Sequence, residues 1–154
     1  MDDLNEKAFI FGSIFTLSNK LQILGDKFDE YLTIKQWLLL AGISNSGSDS
    51  PTISEVATII GSSRQNAKKM VSILEKRQFL TVRKDKDDAR ILRISLTEKC
   101  IGYFEERENR ELKFIEQLYD GFDSTLIKSL CKGISKLEKN IGEMERYYDK
   151  REKE

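Results

Sequence analysis

What most constrains the fold of this chain is a stretch in which three helices follow one another with almost no slack between the last two. Thr33 and Gln36 form a capping-box pair, in which the Thr hydroxyl accepts from the N–H three residues on and the Gln carbonyl accepts from the Thr N–H. The pair opens a helix holding Trp37, Leu38, Leu39 and Leu40, and Gly42 is expected to close it. A polar loop, Ser44-Asn45-Ser46-Gly47-Ser48-Asp49-Ser50, leads to Pro51. Thr52 and Glu55 repeat the capping box ahead of Ile53, Val56, Ala57, Ile59 and Ile60, and Gly61 ends that short helix. The next helix must then start near Ser62 or Ser63. So tight a joint through a glycine is what a helix-turn-helix requires.

At about 100° per residue the helix after Gly61 separates two faces. Ala67, Met70, Val71 and Leu74 fall on the buried stripe, while Gln65, Lys68, Lys69 and Ser72 fall opposite, with Arg64 and Asn66 at the flanks. The period then changes from helical to twofold. Leu80, Val82 and Lys84 alternate with Thr81 and Arg83, and Leu92, Ile94 and Leu96 alternate with Arg93 and Ser95. The turn between them, Asp85-Lys86-Asp87-Asp88-Ala89-Arg90, is charged throughout except for Ala89. A hairpin placed after a helix-turn-helix is a wing, and the pairing of Asp88 with Arg90 is expected to stiffen its tip.

Long amphipathic helices flank this centre. Residues 4–24 carry Leu4, Ala8, Phe11 and Phe15, broadened by Phe9, Ile10, Ile14 and Leu17, with Asp3 and Glu6 as the expected cap. A stripe that wide on a terminal helix needs a partner subunit as its cover. After the wing, Thr97 opens a helix with Ile101, Phe104, Leu112, Ile115 and Leu118 on one side. Another opens near Asp123 or Ser124 and carries Leu126, Ile127, Leu130, Ile134, Leu137, Ile141 and Met144, with residues 149–154 expected to fray. The expected fold class is mostly α with a small β-hairpin wing (α+β). In it a winged helix-turn-helix, residues 31–98, lies between an N-terminal dimerisation helix, 1–30, and C-terminal dimerisation helices, 99–154.

Composition narrows the chemistry. The 154 residues contain one proline, which leaves room for long helices, and no histidine. Without histidine no Ser-His-Asp or Cys-His nucleophile and no HExxH or Cys2His2 zinc site can be assembled. GxGxxG and GxxxxGK[ST] are also missing, so an enzyme is not expected, nor a cofactor or metal. Cys100 and Cys131 fit a reducing cytosol and read as buried small residues. An acidic start and no long apolar run point to a cytoplasmic chain with no membrane partner. The formal net charge of zero conceals a division. Residues 62–99 hold eleven basic and five acidic side chains, a net +6, against −6 for the remainder. A split of that size points to a localised anionic partner.

At these residues the chain resembles the MarR family of winged-helix transcription regulators. The matching words are Leu32-Thr33-Ile34-Lys35-Gln36-Trp37, Ser63-Arg64-Gln65-Asn66-Ala67, Leu74-Glu75-Lys76-Arg77, and Asp88-Ala89-Arg90 leading to Ser95-Leu96-Thr97-Glu98-Lys99. The resemblance implies a homodimer with interlocked terminal helices on a pseudo-palindromic double-stranded DNA operator, more as a repressor than an activator. Ser63, Arg64, Gln65, Asn66, Lys68 and Lys69 would be the recognition-helix contacts. Lys86 and Arg90 would be the wing contacts, with Asp88 supporting the wing. Arginine can read guanine and Asn or Gln adenine, lysines neutralise phosphates, and the narrow minor groove attracts arginine.

A small aromatic or anionic effector is also implied, in a crevice between the dimer helices and the winged helix that Phe11, Phe15 and Trp37 could line. Two positions depart from the family pattern. Gln78 stands where glycine usually follows Lys-Arg, so the turn into the wing must be accommodated differently, and Cys100 replaces a frequent glycine. The alternative reading is a helical protein-interaction adaptor that uses its winged helix without DNA.

Overall fold

The computed structural model describes residues 3–151. In chain order these form α1 (Asp3–Phe28), α2 (Ile34–Ser44), α3 (Ile53–Ile59), α4 (Arg64–Lys76), β1 (Leu80–Lys84), β2 (Leu92–Leu96), α5 (Glu98–Leu118) and α6 (Ser124–Arg151). The backbone divides into two compact units, Met1–Glu106 and Arg107–Glu154, and the division falls within α5. None of the helices among the described residues is long and apolar enough to cross a membrane.

In the first unit the capping signals act where the sequence puts them. Thr33 accepts from the Gln36 N–H, Thr52 accepts from the Glu55 N–H, and both N3 side chains return the bond to the cap N–H. Thr52 accordingly holds the Glu55 carboxyl below its usual pKa. Gly42 does not end α2, which runs to Ser44 with Asn45 as its cap. It is buried inside the helix, where an added Cβ would lie 2.8 Å from Cγ2 of Ile60. The glycine brings α2 against the end of α3. Gly61, at φ +63°, makes the left-handed corner between α3 and α4.

The core of this unit gathers Leu39, Leu40 and Ile43 from α2 and Ile53, Val56 and Ala57 from α3. Ala67, Val71 and Leu74 join them from α4, with Phe79, Leu80, Ile94 and Cys100 from the segment that follows. The strands pair antiparallel, Leu80 opposite Leu96 through Lys84 opposite Leu92, so that Leu80, Val82, Ile94 and Leu96 share the face turned to the core. The corner before β1 departs from expectation in an informative way. Gln78 adopts φ +64°, the left-handed conformation that favours glycine. The turn is therefore not rebuilt around Gln78, which takes the strained conformation itself. Just beyond it the Phe79 ring meets those of Tyr31 and Tyr103 at 5.8 and 5.2 Å, and the Tyr103 hydroxyl donates to Asp29 at 2.6 Å.

Helix α1 is longer than the periodicity suggested. Asp3 and Glu6 both lie within its first turn, where Asp3 pairs with Lys7 instead of standing outside the helix as a cap. Its C-terminal end is seated by Gly25, buried against Ile34, and by Asp26, which accepts from the Ile34 N–H at 2.7 Å. Its apolar side chains Leu4, Phe9, Ile10, Phe11, Ile14, Phe15 and Leu17 remain 46–74% exposed.

In the second unit, Gly121 at φ +79° turns the chain after α5, and Asp123 caps α6 by accepting from the Leu126 N–H at 2.7 Å. Leu112, Ile115 and Leu118 on α5, and Leu126, Leu130, Ile134, Leu137, Ile141 and Met144 on α6, are exposed. The expected fraying is not seen at Asp149, Lys150 and Arg151, which are helical, and residues 152–154 lie outside the described residues.

Candidate nucleic-acid interface

Ser63 is the N-cap of α4, and its hydroxyl accepts from the Asn66 N–H at 3.2 Å. Such a cap stabilises a helix by about 1 kcal/mol. Here it also fixes where the exposed N-terminal turn begins. Ala67, Val71 and Leu74 anchor the opposite face in the core, so the ~100° step leaves Arg64, Gln65, Asn66, Lys68 and Lys69 exposed on the first two turns. The sequence-predicted residues of this helix are thus brought together on one open surface. The positive end of the helix dipole adds to their charge. The Ser63 side chain serves the cap, a role its assignment as a contact did not include.

The wing presents the second group. At its tip Asp88 accepts from the backbone N–H of Arg90 at 3.0 Å and from the Arg90 Nε at 3.1 Å, while Nη2 reaches the other carboxylate oxygen at 3.3 Å. This pairing holds the Asp88 carboxyl below its usual pKa. The Arg90 side chain is nevertheless 91% exposed, so the ion pair orients the guanidinium without covering it. Lys86 is exposed on the same turn.

Two groups that sequence reasoning did not single out support this tip. Arg93 pairs through Nε with Asp85, and its Nη1 donates to the Ser50 carbonyl at 3.0 Å. Asp85 also accepts from the N–H groups of Asp87 and Asp88, at 2.9 and 3.1 Å. The Arg93 hydrogen bond, with those two N–H groups, holds the Asp85 carboxyl down to about 2, and Asp85 in turn raises Arg93. An Asp eight residues before an Arg across a hairpin carries some signal, because such residues can be cross-strand neighbours. The Ser50 carbonyl carries none.

A crevice of about 960 Å³ opens between α1, α2 and the start of α4. Ile14, Leu17, Leu38 and Met70 give it apolar walls, and Lys35, Ser63, Asn66 and Lys69 give it polar ones. Phe11, Phe15 and Trp37 are not among its lining residues. Phe11 and Phe15 stack edge to face at 5.2 Å on the exposed part of α1, and Trp37 is half-buried on α2. Cys100 is buried, which pushes its thiol up to about 11. Cys131 is exposed, contrary to the expectation that both would be buried, because α6 buries none of its side chains among the described residues. Among the described residues no group of three or more His, Cys, Asp or Glu side chains is placed to hold a metal ion.

Comparison with known proteins agrees with this geometry. The sequence profile of the MarR family matches residues 32–92, which run from just before α2 to the first residue of β2. An uncharacterized HTH-type transcriptional regulator of Bacillus subtilis, YhbI, is 31% identical over 112 residues, 73% of this chain and 70% of YhbI. The transcriptional repressor MprA of Escherichia coli K12 is 30% identical over 114 residues, 73% of this chain and 65% of MprA. Among solved structures, a mutant MarR from Escherichia coli complexed with operator DNA superposes with a TM-score of 0.74 at 16% identity, covering 89% of this chain and 99% of that one. With a family profile spanning the helix-turn-helix, relatives at this identity and a shared winged fold, the chain belongs to the MarR family of transcriptional regulators.

Proposed function

We propose that the protein is a homodimeric repressor that occupies a pseudo-palindromic DNA operator and leaves it when a small aromatic or anionic effector binds. The observation that carries this reading is the pairing of two exposed basic elements on one small unit. These are the N-terminal turns of α4, with Arg64, Gln65, Asn66, Lys68 and Lys69, and the wing tip, with Arg90 91% exposed. In this reading α4 enters the major groove, Arg64 and Gln65 read base edges, Lys68 and Lys69 neutralise phosphates, and Lys86 and Arg90 follow the adjacent minor groove. Repression needs only occlusion of a promoter, and the relative MprA is named a repressor.

The exposed apolar residues of α1, with residues 99–154, supply the dimer contacts, since an apolar face of that extent marks a protein–protein surface. A twofold dimer would set its half-sites about one helical turn, near 34 Å, apart. The crevice lined by Lys35 and Lys69 is the place for an effector. It shares Ser63, Asn66 and Lys69 with the proposed DNA face, so a ligand there acts directly on DNA contacts.

The test is selection of bound duplexes from a random library, followed by competition binding. Lys68→Ala or Lys69→Ala should weaken all duplexes and flatten the log K against log salt slope by about 0.9 for each phosphate left without its lysine. Arg64→Ala or Gln65→Ala should reduce discrimination by about 1–3 kcal/mol. Unchanged affinity after all four substitutions would refute the assignment. A thermal-shift screen of aromatic acids tests the effector, because a ligand that prefers the native state raises its stability.

A further inference from the structure

Arg93 stands directly opposite Arg83 in the hairpin, and like charges at that position destabilise a sheet unless one is compensated. The compensation here is unusually complete. Asp85 takes the Arg93 Nε, the Ser50 carbonyl takes its Nη1, and the strand around it is held to the same loop. The Ile94 N–H donates to the Pro51 carbonyl at 2.9 Å, Ser95 Oγ to the Asp49 carbonyl at 3.3 Å, and Thr52 forms a bridge with Arg93.

From Asp85 the contacts run outward to the tip. Its second oxygen takes the N–H groups of Asp87 and Asp88, and Asp88 takes the backbone and guanidinium of Arg90. The turn is closed at its base by Asp85 N–H donating to the Ile91 carbonyl and Ile91 N–H to the Asp88 carbonyl, both at 2.9 Å. A continuous series of charge-assisted bonds therefore joins the loop before α3 to the wing arginine. Outward from Asp85, side-chain exposure rises along this path, from 12% at Asp85 through 38% at Asp88 to 91% at Arg90.

We infer that Asp85 and Arg93 form a clasp that positions the wing, fixing where Arg90 stands relative to α4. The inference rests on the DNA-binding reading above. Arg93 is in this view a positioning residue with no DNA contact of its own. Its fork binds Asp85 and the Ser50 carbonyl at once, and a lysine ammonium cannot reproduce that planar geometry.

The experiment compares wild type, Arg90→Ala, Arg93→Ala, Arg93→Lys and the Arg90→Ala/Arg93→Ala double variant on one duplex obtained by selection. Affinity is measured by competition, minor-groove contact by hydroxyl-radical footprinting and major-groove contact by dimethyl sulfate protection of guanine. Arg93→Ala should lose the wing footprint while keeping the α4 protection. It should weaken binding about tenfold, by the same factor as Arg90→Ala, and the double variant should be no weaker than either. Arg93→Lys should resemble Arg93→Ala. A double variant that loses the product of the two factors, or a retained wing footprint in Arg93→Ala, would overturn the clasp. So would loss of the α4 protection together with the wing, which would make Arg93 a general support of the fold. A wild-type protein that protects no duplex would instead defeat the DNA-binding reading, and the clasp's role with it.

Discussion

Replacing Gln78 by glycine should stabilise the protein. Gln78 is the residue just past the end of α4, and its neighbours show a Schellman arrangement. The Gln78 N–H donates to the Glu75 carbonyl at 2.8 Å and the Phe79 N–H to the Leu74 carbonyl at 2.9 Å, with Leu74 and Phe79 both in the core. The motif demands the left-handed conformation, which Gln78 supplies at φ +64°. For an L-residue that conformation is disfavoured by about 1–2 kcal/mol. Glycine removes the clash but loses about 0.5–1 kcal/mol more backbone entropy on folding. The Gln78 side chain is exposed, so its removal forfeits little packing. Its carbonyl, which accepts from Thr97 Oγ1 at 2.6 Å, is retained.

The balance is a gain of about 0.5–1 kcal/mol, or about 1–4 °C in Tm for a chain of this length. The assay is thermal unfolding followed by circular dichroism at fixed protomer concentration, since association would shift the midpoint. Gln78→Ala serves as the control because it keeps the left-handed penalty, and it should not raise Tm. Gln78→Asn should fall between, since asparagine tolerates this region better than most residues. If alanine raises Tm as much as glycine, the side chain and not the backbone is responsible, and the reasoning fails.

Three other outcomes follow from the same geometry. Gly42→Ala should lower the urea midpoint by the equivalent of about 1 kcal/mol: overpacking against Ile60 costs about 1–3 kcal/mol, and alanine's helix preference recovers about 1 of it. An unchanged or raised midpoint would mean that α2 and α3 yield without strain. The Asp85 carboxyl, followed by carbon-detected NMR, should titrate near pH 2 and move toward 3.8 in Arg93→Ala. Because the folded value is the lower one, its stabilising contribution is complete above about pH 3.8 and lost as pH falls through 2. Cys100, buried and pushed up to about 11, should resist alkylation at pH 8 in the native protein and label once the chain is unfolded in denaturant, as peptide mapping would show.

The helix-turn-helix was readable in advance because its signals are local. The two capping boxes, Gly61 and the Ser63 cap each act within a few residues, and the buried stripe of α4 repeats with the helix. The Asp88–Arg90 pair was readable for the same reason, being two residues apart. Gly42 misled because glycine serves equally as a helix end and as a point of close approach, and only the position of Ile60 distinguishes them. The lining of the crevice was not legible either, since it depends on which turn of α1 faces α2 and α4.

By itself, then, the sequence determined the order and type of the elements, the exposed face of α4, the polarity of the wing and the exclusion of histidine chemistry, all of which follow from residue identity and period. The tertiary structure decided three things that it did not. It made Gln78 the left-handed corner, Gly42 a packing contact, and Arg93 a link between the wing and Ser50, 43 residues away. Contacts at that separation depend on how the elements pack, and no local pattern encodes the distance between two groups that meet only after the chain has folded.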